Sequence, residues 1–97
     1  MQIQFTLNQT IELNLNQKAF IKDIGLKIHF IKAGSDHGEN HYGYHAFFKI
    51  SINDRNEQEI FVETINSKAG KVKYQNFTIH LLYSNGIDNV KIKITGG

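Results

Sequence analysis

The chain has 97 residues, 40% of them hydrophobic and 21% charged, which supplies one modest core and leaves no room for a second domain. It holds no cysteine and no proline, so a disulfide framework, a thiolate nucleophile, a zinc finger and an iron–sulfur cluster are all excluded. Eleven Lys and Arg against nine Asp and Glu give +2, too weak a field to argue for nucleic acid or membrane, although it divides into −2 over residues 1–66 and +4 over residues 67–97.

Alternation of period two runs through the sequence, and no sustained helical period interrupts it, so the chain is expected to be all-β. In chain order the strands are Gln2–Leu7, Thr10–Leu15, Ile24–Ala33, Tyr44–Asn53, Glu57–Ile65, Asn76–Ser84 and Asp88–Thr95. Asn16–Asp23 reads as a helical turn, an irregular strand or a loop. Val72-Lys73-Tyr74 is out of phase with Phe77, Ile79 and Leu81, which predicts a turn or bulge near Gln75-Asn76. About seven strands suit a single antiparallel β-sandwich of Ig-like or Greek-key type over residues 1–97, with a small β-barrel as the alternative.

Two hairpins can be set by their turns. Asn85-Gly86 predicts a two-residue type I′ turn, pairing Leu81 with Val90 and Ile79 with Ile92, with Tyr83 on the apolar face. A loop at Asp54-Arg55-Asn56 pairs Ile50 with Ile60 and Phe48 with Val62. Phe47 and Phe61 then become diagonal neighbours on a face otherwise holding Lys49, Ser51, Glu59 and Glu63, with His29 and Ile31 as candidate companions. An exposed aromatic pair rimmed by charge is how a protein-binding patch reads from sequence, and Tyr42 and Tyr44 are further candidates for it. The competing expectation is that Ala19, Phe20 and Ile21 fold over the pair as a satellite core.

Three of the five histidines, His37, His41 and His45, fall in a loop over residues 34–43 and just beyond, spaced by four, with Asp36 and Glu39 among them. Imidazole and carboxylate suit Zn or Cu, so these residues are the candidate metal ligands, against the plainer reading of a solvated polar connection. Lys73, Tyr74, Lys91 and Lys93, with Tyr83 and His80, carry a weak suggestion of single-stranded nucleic acid binding. Ser35-Asp36-His37 has the residue types of a catalytic triad, but consecutive residues cannot aim at one another, and no phosphate-cradling loop is present. The expected function is therefore non-enzymatic recognition of a protein partner, through a sheet face or the 34–43 loop, in an inhibitor, accessory or immunity role. Metal binding is the alternative, and homo-oligomerisation through an edge strand is a further expectation. No run of apolar residues is long enough to span a bilayer and no signal peptide is legible, so a soluble chain is expected and its compartment stays open.

Phe5-Thr6-Leu7, Gly25-Leu26-Lys27-Ile28-His29-Phe30, the loop from Gly34 to Gly43, and Asn76-Phe77-Thr78-Ile79-His80-Leu81 follow one another in an order that carries a resemblance. In layout the chain resembles a group of small bacterial exported β-sandwich domains. Those place a Phe-x-Leu strand before a Gly-Leu-x-Ile-x-Phe strand, an Asp-Ser-Arg-Cys loop and a closing Tyr-x-Ile-x-Leu strand. Ser35-Asp36-His37 stands where the loop cysteines would begin. The resemblance implies architecture and export, and no catalytic activity.

Overall fold

The computed structural model describes residues 2–37, 42–64 and 68–96. Nine strands form: β1 (Gln2–Phe5), β2 (Thr10–Asn14), β3 (Lys18–Ile21), β4 (Leu26–His37), β5 (Tyr42–Ile52), β6 (Arg55–Glu63), β7 (Gly70–Tyr74), β8 (Phe77–Ser84) and β9 (Asn89–Gly96). They build two open sheets packed together, one in the order β1-β3-β4-β5-β6 and the other β2-β9-β8-β7. The chain is all-β as expected, with one 3-10 turn at Lys22–Ile24 as its helical element among the described residues. Neither sheet closes on itself, which sets aside the barrel alternative.

Why two layers form follows from the alternation. Ile11 and Leu13 of β2 are buried while Thr10, Glu12 and Asn14 are exposed, so that one face of the strand is apolar and the other wet. Applied to each strand, the rule collects Ala19, Ile21, Leu26, Ile28, Phe30, Ala46, Phe48, Ile50, Ile60 and Val62 from the five-stranded sheet. They meet Ile11, Leu13, Tyr74, Ile79, Leu81, Val90, Ile92 and Ile94 from the four-stranded one. Phe30 and Phe48, paired across β4 and β5, put their ring centroids 5.5 Å apart within this core. Because β2 leaves for the other sheet, β1 returns beside β3 in parallel, the only parallel pair among the described strands.

Residues 16–23 depart from one expectation. Instead of covering a face, they supply the strand β3 and the turn that follows, with Ala19 and Ile21 in the main core and Phe20 half-buried on the outer side.

Both hairpin registers differ from expectation by two residues, and the turn chemistry says why. Asn53 and Asp54 both take positive φ, 51° and 59°, making a two-residue turn that pairs Ile52 with Arg55, and Asn56 at φ 56° absorbs a bulge. Phe48 therefore faces Ile60, Ala46 faces Val62, and Phe47 faces Phe61 directly. At the other hairpin, the side-chain oxygen of Asn85 accepts from the amides of Ile87, Asp88 and Asn89 at 2.9, 2.9 and 3.0 Å. This widens the loop beyond a type I′ turn and pairs Leu81 with Ile92 and Ile79 with Ile94. A register irregularity between Leu81 and Tyr83 turns Tyr83 outward and leaves Ser84 buried. The turn expected at Gln75-Asn76 is present, closing β7 on β8 with Tyr74 opposite Phe77. Because the registers moved by an even number of residues, the core faces of β5, β6 and β9 survived, whereas the slip at Ile31 turns Lys32 outward and Ala33 toward the core.

Candidate functional site

The outer face of the five-stranded sheet carries the features that the core does not explain. Read across the strands, it is a set of rows: Phe20, Lys27 and Ser51; then Lys18, His29, Lys49 and Glu59; then Lys32, Phe47 and Phe61; then Gly34, His45 and Glu63. Ile31, between the second and third rows, is the residue where β4 slips register against β5. Lysines thus run across β3, β4 and β5, glutamates along β6, and the rings of Phe47 and Phe61 stand in one row on β5 and β6.

The rings form one cluster. Phe47 and Phe61 have centroids 5.1 Å apart at 51°, and His45 lies 5.7 Å from Phe47, edge-on, and 5.6 Å from Phe61. The Lys32 ammonium sits 5.8 Å from the Phe47 centroid, within cation–π range. Phe61 remains 44% exposed despite these neighbours. His45 has room because position 34 is glycine: a Cβ there would stand 2.5 Å from His45 Nε2. The patch therefore depends on a backbone surface as well as on side chains.

The expected partner-binding set is divided by the fold. Phe47 and Phe61 come together, while Tyr44, adjacent to His45 along an alternating strand, lies on the other side of the ladder. Tyr44 faces the β8–β9 loop, where a Cβ on Gly86 would stand 2.7 Å from its ring. Tyr42 opens β5, paired with His37 at the end of β4, and the side chains of both lie outside what is described. The loop expected over residues 34–43 is mostly ladder, since Gly34, Ser35, Asp36 and His37 pair with His45, Tyr44, Gly43 and Tyr42.

The candidate metal ligands fare differently. His41 lies outside the described residues, as does Glu39. Position 37 is three rungs from the Gly34–His45 rung, about 10 Å along the ladder at strand rise. His45 belongs to the aromatic cluster, and no group of three or more metal-ligating residues occurs among the described residues.

The expected basic platform on the four-stranded sheet is corrected at Tyr74. That residue is buried and its hydroxyl donates to the Asn56 carbonyl at 2.7 Å, so it fastens one sheet to the other and offers no stacking surface. Burial pushes its phenol above the ordinary range. Tyr83 is exposed with the Lys91 ammonium 5.7 Å from its centroid, and His80 Nε2 lies 3.0 Å from Thr95 Oγ1. A groove of about 610 Å³ also opens where the β5–β6 and β7–β8 turns meet, lined by Asn53, Arg55, Asn56, Gln75, Asn76 and Phe77. Asn53, Asn56 and Gln75 are there as left-handed turn residues, at φ 51°, 56° and 55°.

Sequence reasoning named His29 only as a neighbour of the phenylalanines. Its imidazole is held below the ordinary histidine range, first because burial strips water from the charged form and then because Lys18 and Lys49 repel it, against a hydrogen bond to the Asn16 backbone. Alternation alone puts His29 and Lys49 on the outer faces of their strands, but Lys18 joins their row only through β3, which the sequence did not show as a strand.

No helix among the described residues is long and apolar enough to cross a membrane. Comparison with known protein families, with curated proteins and with solved structures finds no match to this chain.

Proposed function

We propose that this chain is a non-enzymatic β-sandwich of Ig-like or Greek-key type that recognises a protein partner through the outer face of its five-stranded sheet. The observation that carries the reading is Phe61, which stays 44% exposed in contact with Phe47 and His45. A ring left half in water by its own fold gains most of its remaining burial from another molecule, and fully burying a Phe side chain is worth roughly 1.5–3 kcal/mol. Aromatic side chains centred in a patch with a charged surround have the composition of an interaction hot spot. Lys32, Lys49, Glu59 and Glu63 supply that surround, basic on one side and acidic on the other, which sets the orientation of a partner and its rate of approach.

The test is the Phe61→Ser variant beside Leu82→Ser, an equally exposed change on the other sheet. Both variants keep the wild-type circular dichroism spectrum, and the protein that co-purifies with the chain from its source cell is lost with Phe61→Ser and kept with Leu82→Ser. Unfolding of Phe61→Ser would show that the ring is core, and equal retention by both variants would show that the partner binds elsewhere.

A further inference from the structure

The outer face of the four-stranded sheet gathers cations without carboxylates to match them. Lys73, Thr78 and Thr95 form one cross-strand row, Lys71, His80, Lys93 and Thr10 the next, and Tyr83, Lys91 and Glu12 a third. Four lysines therefore share these rows with a single carboxylate, that of Glu12. Glu12 accepts from Asn89 at 3.0 Å, and none of the four lysines makes a salt bridge among the described residues. Asp88 lies in the β8–β9 loop beyond the last row, bonded to Asn85. Four ammonium groups less one carboxylate give this face +3 where the whole chain has +2, so the fold concentrates a field that the net charge dilutes.

The lysines are laid out as a track. At strand rise, Lys73 and Lys71 stand about 7 Å apart along β7, and Lys93 and Lys91 about 7 Å apart along β9. Lys71 and Lys93 lie two strands apart with His80 between them, a step of about 10 Å that joins the two pairs into an oblique line across the sheet. A hollow of about 320 Å³ opens on this line, walled by Lys71, Lys73, Thr78, His80 and Thr95, with no carboxylate among the described residues lining it. His80 Nε2 meets Thr95 Oγ1 at 3.0 Å, which orients both side chains there. At the far end of the line the bulge after Leu81 turns Tyr83 outward, 48% exposed, beside the Lys91 ammonium.

A line of ammonium groups that ends on an exposed ring is what an unpaired nucleic acid strand requires, because cations track its phosphates while an aromatic side chain stacks a base. The shape of the face works against a duplex. Four strands span about 14 Å before side chains are counted, wider than the roughly 12 Å major groove, so bases are reached only in a strand already open. We propose that the outer face of the four-stranded sheet binds single-stranded nucleic acid, its backbone running obliquely from Lys73 past Lys71 and Lys93 to Lys91, with one base stacked on Tyr83. The hollow takes one phosphate, whose oxygens accept from the Lys71 and Lys73 ammonium groups and the Thr78 hydroxyl. This face is on the opposite side of the sandwich from Phe61, so the proposal does not rest on the protein-binding reading.

Fluorescence anisotropy of a labelled oligothymidylate titrated with the full chain, between about 50 and 200 mM salt, tests this. The expected result is saturable binding whose log K falls against log salt with a slope of about −3, the value for four neutralised phosphates on a single strand. Lys71→Gln/Lys93→Gln is expected to weaken binding about tenfold or more at the low-salt end and to halve the slope, roughly. Lys22→Gln/Arg55→Gln removes the same charge from exposed positions off this face and is expected to leave both close to wild type. Tyr83→Leu is expected to lower affinity about tenfold with the slope unchanged. Absence of saturable binding by the wild type overturns the proposal without recourse to any variant. An equal loss in the two charge variants overturns it as an effect of net charge alone. Full affinity in Tyr83→Leu overturns it in favour of a surface for any polyanion, and binding to phosphatidylserine vesicles in place of the oligonucleotide overturns it in favour of a membrane.

Discussion

Phe47 and Phe61 stand directly opposite one another across the β5–β6 ladder, their ring centroids 5.1 Å apart on the side of the sheet that faces away from the core. Cross-strand pairs of this kind stabilise a sheet by roughly 0.2–1 kcal/mol, with aromatic pairs at the upper end. In a double-mutant cycle of Phe47→Leu and Phe61→Leu, urea unfolding is expected to give a coupling of about 0.5–1 kcal/mol. Additive single changes would mean that the rings do not support one another.

Phe61→Ser alone removes a half-exposed ring, so it is expected to cost about 1–2 kcal/mol, which in a domain of this size lowers the melting temperature by roughly 4–16 °C. Phe48→Ser, at a position with 0% exposure, is expected to abolish folding. The contrast between adjacent strand faces is read by thermal unfolding monitored in the far ultraviolet.

Gly34→Ala brings a Cβ to 2.5 Å from His45 Nε2, closer than real contacts allow, so the imidazole has to swing off the ladder. The expected result is a folded protein whose His45 and Phe61 ring resonances both shift. Unchanged spectra would mean that the His45 ring does not lie on Gly34.

His29 gives the fold a pH dependence of definite sign. Its folded pKa is below the ordinary histidine value of about 6.5, so between the two values the unfolded chain binds the proton more readily and stability rises with pH. The contribution is present above about pH 6.5 and is lost as pH falls through the folded value. In chloride buffer, the urea midpoint of the wild type is expected to drop more between pH 7 and 5 than that of His29→Gln. Parallel profiles would remove His29 as the cause.

The strands were legible because period-two alternation is set by the same burial that builds the core, and positions such as Ile28, Phe48 and Ile92 carried it without ambiguity. Register was not legible to the residue. Asn85 uses its side chain to bind three successive amides, a wider loop than its Asn-Gly dipeptide advertises, and Asn53 with Asp54 turns the chain one step earlier than the polar run suggests. Tyr83 pointed the wrong way in sequence because a bulge at Leu82 is invisible to alternation. The short strand β3 was hidden for a different reason, having only Ala19 and Ile21 on its buried face. Of the candidate site, the Phe47–Phe61 pair was readable from turn logic. The place of His45 beside it was masked by its spacing to His37 and His41, which pointed to a metal instead.

Site-specific photo-crosslinking from position 61 in the source cell addresses the central claim most directly, with position 82 on the other sheet as the control. A discrete adduct with one protein from position 61, absent from position 82, is the predicted result. Equal labelling from both positions, or none from position 61, would contradict the assignment of this face as the binding surface.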